Sequence, residues 1–230
     1  MTAERVEPAA RSAGATRPRW LSAASAVQRP VHADEPDGLA EAVETVRRFT
    51  PQDRMQAQNR RRLLAFAARH PDALHRSCEA GHLTASAWVV DHNAVRGLVL
   101  LHAKIGRWLQ PGGHADGESS LWAVARREAS EETGIDGLEV WSEPVDVDVH
   151  LFVNRRDAEP SHMHFDVRYV VRCPPGALPR PNHESDALRW VTPDQLTDAD
   201  LGLDASTRRL AKYGFGVARA VIGSHQPEDD

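Results

Sequence analysis

The sequence predicts an α/β fold, helices covering a sheet, with extra helices ahead of it. Three observations carry this reading. A run rich in β-branched and aromatic residues at 82–91 (HLTASAWVVD) turns at Asn93 into a second apolar run at 97–101 (GLVLL), the pattern of a strand hairpin. A loop holding Gly112, Gly113 and Gly117 then leads into a segment whose stripe of Leu121, Trp122, Ala125 and Ala129 has helical spacing. Further on, Val145, Val147, Val149 and Leu151 alternate with Asp146, Asp148 and His150, a period of two that gives a strand one apolar and one polar face.

Taken in order, residues 1–36 are rich in Ala, Arg, Pro and Ser without sustained periodicity. Such a segment buries too little surface to offset its ordering entropy, so a disordered tail is expected, with Trp20 and Leu21 as the pair able to dock locally. From Gly38 to Phe49, Leu39, Ala42, Val43 and Val46 mark a helix. A second follows, with Thr50 read as its cap, Pro51 in the first turn and Asp53 at the third position. It runs through Arg60, Arg61, Arg62, Leu63, Leu64 and Phe66 and stops before Pro71; the three arginines read as a solvated face. A short helical piece is expected at 73–78. These elements make residues 37–80 a helical segment packed on a main domain at 81–224, with an acidic tail at 225–230.

Beyond the glycine loop, the alternating strand falls within 138–153. A second strand at 162–172 carries His162, His164, Asp166 and Arg168 on one side. Pro174, Pro175, Gly176, Pro179 and Pro181 make a loop, and residues 188–191 a short strand. Thr192, Pro193 and Gln195 supply cap, first-turn proline and capping-box partner for a small helix, and Asp204 caps a last helix reaching about Ile222.

The 230 residues suit one sizeable domain plus a tail. With 41% hydrophobic and 27% charged residues the composition is that of a globular protein. A net charge of −5 gives no general attraction to nucleic acid or anionic membrane, so a phosphate-bearing ligand needs local basic groups or a metal. Cys78 and Cys173, without CxxC spacing, argue against a disulfide scaffold and fit a reducing compartment. No apolar run reaches membrane-spanning length and no secretory apolar core opens the chain, so a cytoplasmic location is expected.

The chemistry concentrates in the helix after the glycine loop. Glu128, Glu131 and Glu132 share one helical face, where like charges repel. A solvated acidic patch is the bland explanation. A hard divalent cation, which takes oxygen ligands, is the alternative that makes use of the clustering.

Gly113, Arg127, Glu128, Glu131, Glu132, Gly134 and Ile135 stand at the positions of the pattern G-x5-E-x7-R-E-U-x-E-E-x-G-U, with U a bulky aliphatic. The stretch thus resembles the Nudix box of the Nudix hydrolases. Two positions depart from it: Ser119 occupies the first glutamate position, with Glu118 one place early, and Ala129 replaces the bulky aliphatic. The resemblance implies a Nudix fold, an α/β/α sandwich around a mixed sheet. It also implies hydrolysis of a diphosphate linkage, in a nucleoside diphosphate joined to another moiety, with Mg²⁺ as cofactor and Mn²⁺ as a substitute. The expected partner is a small nucleotide or other diphosphate, with no specific nucleic acid and no membrane, and a homodimer is left open.

By position in the motif, Glu131 and Glu132 are metal ligands, Glu128 is a ligand or general base, and Arg127 orients the carboxylates. Gly112 offers backbone groups to metal or phosphate, and the role of Glu118 stays open. Glu184, in HESDALRW, is a further candidate ligand or base from the loop before the last strand, and Asp186 a weaker one. Lys104 and Arg168 are candidate phosphate contacts, and Trp108 either stacks on a base or packs in the core. His150, His162 and His164 line a substrate pocket or, if three or four ligands converge with them, a second metal site of zinc type.

Two other functions stay in view. One is a non-catalytic sensor on the same fold, disfavoured because all three glutamates are retained. The other is an isopentenyl diphosphate isomerase, which needs a catalytic cysteine near the hairpin, where Cys78 precedes the first strand.

Overall fold

A computed structural model describes residues 18–26, 38–153 and 160–223. Most of the expected N-terminal tail and all of the acidic tail lie outside them. Within that first stretch, Trp20–Leu21 form a short strand (β1), followed by α1 (Ala23–Ala26). β1 pairs with a strand of the main domain, and Trp20 sets its ring 5.5 Å edge-on to Trp141. This docked pair departs from a wholly loose tail: two aromatic side chains and a backbone ladder anchor it.

The remaining elements are α2 (Gly38–Arg48), α3 (Arg54–Ala67), β2 (Gly81–Val90), β3 (Gly97–His102), β4 (Arg107–Leu109), β5 (Gly112–His114), α4 (Leu121–Thr133), β6 (Glu139–Trp141), β7 (Asp146–Phe152), β8 (His162–Arg172), β9 (Ser185–Val191), a 3₁₀ turn (Pro193–Thr197) and α5 (Ala205–Gly223). The mixed sheet runs β1-β6-β8-β2-β3-β4, with β5 on β2, β7 on β8 and β9 on β3. Its central pair, β2 and β8, is parallel, aligning His82 with His164 and Ser86 with Arg168; the other pairs are antiparallel.

Odd-numbered residues of β2 and β8 (Leu83, Ala85, Phe165, Val167, Tyr169) face a core shared with α2, α3 and α4. The even-numbered face changes character along its length. At one end Trp88, Val90 and Val170 lie under α5. Next come Asp166 and Arg168, and then His82, His162 and His164. Helices therefore cover both faces, the sandwich that the resemblance implies, and α1 to α3 precede its first long strand, β2.

Several element ends differ from the sequence reading. Asp53, not Thr50, caps α3: its carboxylate accepts the Gln56 N–H at 2.8 Å. Residues 73–78 form turns rather than a helix, and β9 starts three residues early, at Ser185. The capping box at Thr192 and Gln195 and the Asp204 cap, bonded to the Thr207 N–H at 2.7 Å, are as expected.

Candidate active site

The glutamate helix α4 ends at Gly134, whose φ of +63° supplies the left-handed turn that glycine adopts without strain. The last carbonyls of a helix lack internal partners. Here the loop before β9 supplies them: Arg180 N–H donates to the Thr133 carbonyl at 2.7 Å, and the Asn182 side-chain amide to the Glu131 carbonyl at 3.0 Å. Asn182 also accepts the Glu184 N–H at 2.8 Å, and Ala103 N–H donates to the Glu184 carbonyl. Glu184 is thereby held opposite α4. Together Glu128, Glu131, Glu132, Asn182, His183 and Glu184 line a cleft of about 400 Å³.

Within the cleft each carboxylate has a different setting. Glu132 is buried and takes the Gly112 N–H at 2.8 Å. Burial, reinforced by Glu128, Glu184 and Glu131, pushes its pKa up to about 8 despite that bond. Glu128 is also raised by burial, against the pull of Arg127, whose guanidinium lies 2.7 Å from it. Arg127 stands 3.5 Å from the more exposed Glu131 and donates to the His114 carbonyl at 3.2 Å, tying helix to strand. Gly113 backs directly on Glu128, where a Cβ would sit 2.4 Å from the carboxyl carbon. That close approach is why the position has no side chain.

This donor set suits a hard cation. Four carboxylates share one cleft with a single guanidinium between two of them, and burial beside the other three favours the protonated form of the innermost, Glu132. A divalent ion bound by oxygens would replace that proton and offset the repulsion.

Not every candidate gathers here. Gly112 enters as the amide that positions Glu132, so its N–H is spent on a carboxylate and only its carbonyl could ligate. Glu118 lies at the N-terminus of α4, accepting the Ser120 N–H at 2.9 Å, and does not line the cleft. Ser119 donates to Glu41 of α2. Lys104 sits in the exposed turn after His102, off the cleft lining. Trp108 packs partly buried against the α5 core.

Arg168 corrects a sequence expectation. It is fully enclosed, with its guanidinium 2.6 Å from Asp166, 3.2 Å from Asp148 and 3.4 Å from Asp146, so it has no reach to a phosphate. Arg209 of α5 joins the same acids, and Gln56 and Asn59 of α3 donate to Asp146 and Asp148. Three buried aspartates are thus paired with two arginines from different elements and bonded by two α3 amides, which pins α3 and α5 to the sheet.

His150, His162 and His164 also stay off the glutamate cleft. His162 and His164 converge instead with His82 and His114, which the sequence reading did not single out. His150 bonds Asp148 at 3.0 Å and sets its ring 5.4 Å from that of His164. Asn182 and His183 were missed as well; the only sequence signal for them was their proximity to Glu184.

Comparison with known proteins agrees with this architecture. The family described as NUDIX domain matches residues 82–212, more than half of the chain. A MutT-like protein of Streptomyces ambofaciens is 31% identical over 118 residues, covering 51% of this chain and 68% of that protein. Among solved structures, an Ap4A hydrolase of C. elegans superposes with a TM-score of 0.45 at 18% identity, over 61% of this chain and 98% of that one. The E. coli dihydroneopterin triphosphate pyrophosphohydrolase gives 0.46 at 18% identity, over 56% and 92%. The chain belongs to the Nudix hydrolase family, whose members act as diphosphohydrolases.

Proposed function

We propose that the protein hydrolyses the P–O–P linkage of a nucleoside diphosphate joined to another moiety, with Mg²⁺, or Mn²⁺ in its place, held by Glu128, Glu131 and Glu132. The observation that supports this most is the buried Glu132, fixed by the Gly112 N–H, sharing one open cleft with Glu128, Glu131 and Glu184. A divalent cation there would offset the charge of the diphosphate and acidify a water molecule. The chain's own groups do the rest. Gly112 N–H fixes the Glu132 carboxylate, and Arg127 spaces Glu128 from Glu131 while anchoring to β5. Water attacks phosphorus opposite the leaving phosphate, its oxygen forming the new P–O bond as the bridging one breaks. The released proton passes to Glu184, the cleft carboxylate not engaged with the cation, or to Glu128 where Glu131 and Glu132 hold the cation without it.

The buried Cys78, whose thiol is raised by desolvation and lies 3.7 Å from His70 ahead of β2, does not line the cleft, which disfavours the isomerase. Incubation with ADP-ribose, diadenosine polyphosphates, nucleoside triphosphates and isopentenyl diphosphate in Mg²⁺ tests the proposal. Mononucleotide or phosphate release is expected from at least one nucleotide. Binding without turnover across the panel, or a shifted double bond in isopentenyl diphosphate, overturns it.

A further inference from the structure

On the even-numbered face of the sheet, past the buried Asp and Arg layer, four imidazoles meet. His82 comes from β2, His114 from β5, and His162 and His164 from β8. One ring nitrogen from each lies within 4.8 Å of the others. His82, His162 and His164 are buried and His114 is half-buried. The two β8 rings bring their Nε2 atoms to 3.0 Å.

We propose that this cluster is a second metal site, separate from the glutamate cleft, which takes a borderline transition ion, Zn²⁺ first, on four histidine nitrogens. The chemistry of the donors selects the ion. Nitrogen ligands without a carboxylate suit Zn²⁺, Co²⁺, Ni²⁺ or Cu²⁺ and not Mg²⁺. Tetrahedral zinc holds its nitrogens at 2.0–2.1 Å, which sets them about 3.3–3.4 Å apart. The His162–His164 separation is already close to that edge, and pairs as wide as 4.8 Å need up to about 1.5 Å of closure.

The surroundings prepare the rings as ligands. His162 Nδ1 lies 2.9 Å from the Pro160 carbonyl, which only accepts, so the proton is on Nδ1 and the Nε2 lone pair points into the cluster. Phe152 stacks on His164 with ring centres 4.8 Å apart and planes 11° apart, fixing that ring.

The groups facing the cluster also matter. His150 stands beside His164 and is occupied by Asp148, while Arg76 and Asp116, paired at 2.7 Å, lie near His114. No carboxylate is among the four donors, so the site carries the full charge of the ion. With four protein ligands its shell is closed, which makes it structural rather than hydrolytic. Its link to the glutamate cleft runs through His114, which follows Gly112 and Gly113 on β5 and whose carbonyl accepts from Arg127. An ion here would pin the β5 end against β2 and β8.

The test is zinc binding to the chelator-stripped full chain, by competition with a chromophoric zinc chelator, in the Glu132→Gln background with saturating Mg²⁺ so that the glutamate cleft does not contribute. One equivalent of Zn²⁺ is expected. At a free concentration about a hundred times Kd, the thermal midpoint should rise by roughly 5–10 °C. Co²⁺ should give the intense visible bands of a tetrahedral site. His164→Asn and, as the less buried alternative, His114→Asn should each weaken zinc on the order of 100-fold or more while circular dichroism stays that of the parent. Absence of the equivalent in the Glu132→Gln background overturns the proposal, as does zinc affinity unchanged in a folded His114→Asn protein. Either result leaves the diphosphohydrolase reading intact.

Discussion

At Glu132 two demands meet on one carboxylate: the Gly112 N–H fixes it, while burial beside Glu128, Glu184 and Glu131 opposes its charge. Its pKa therefore rises from 4.5 to about 8 in the folded, metal-free protein. A raised acid binds a proton in the native state that the unfolded chain has already released, so stability falls as pH climbs through that window. Glu132→Gln removes the ionisation and keeps an oxygen for the Gly112 N–H. In EDTA, urea denaturation should find the variant more stable than the parent by roughly 2–5 kcal/mol at pH 8, with the gap closing near pH 4.5. Parallel stability profiles for the two proteins would mean that the carboxylate is not held against its charge. Away from that site, Arg168 gives no phosphate contact: buried among three aspartates, its charge is already used.

At the scale of elements, the cleft depends on how closely β5 approaches α4. Gly113→Ala places a methyl group on the Glu128 carboxyl, so either strand or side chain must shift. A displacement of about an ångström at a catalytic group costs on the order of 100-fold in rate, and kcat should fall by that amount in a protein that remains folded. Steady-state kinetics check this, and an unchanged kcat would free Gly113 of any role in placing Glu128.

The glycine segment leading into the glutamate helix is readable in the sequence, because glycines and glutamates at fixed spacing report local geometry. It reads there as a loop, however, and not as the strand that Gly112–His114 form on β2. Other features depend on contacts that no local pattern records. Asp53 displaces Thr50 as the α3 cap because its carboxylate reaches the Gln56 N–H and also accepts from the Tyr213 hydroxyl of α5, 160 residues away. β9 begins at Ser185 because it has β3 to pair with, although residues 185–187 show no strand signal of their own. His82 and His114 look like isolated histidines until the parallel β2–β8 register and the antiparallel β2–β5 register bring them beside His162 and His164. Cross-strand register is set by long-range pairing, so spacing along the chain could not give it.

Across the whole molecule, the two faces of one sheet are assigned different work. The odd-numbered face builds the apolar core under α2, α3 and α4, and α4 turns its glutamates toward the loop at Asn182. The even-numbered face passes from apolar residues under α5, through a layer of buried ion pairs, to the imidazole cluster. The helices ahead of the family region belong to this arrangement: Gln56 bonds the Val145 carbonyl just before β7, Asn59 the Val147 carbonyl within it, and Phe66 stacks on Phe165 at 4.0 Å. Among the described residues no helix is long and apolar enough to cross a membrane.

On the function proposed above, the α4 carboxylates seat a divalent cation against a diphosphate. The most direct check is the rate of product release from a hydrolysable nucleotide, followed across a Mg²⁺ titration for the parent and Glu132→Gln side by side. Saturable Mg²⁺ dependence in the parent and a rate lower on the order of 1,000-fold or more in the folded variant are predicted. Equal rates in the two proteins, or full turnover in EDTA, would contradict it.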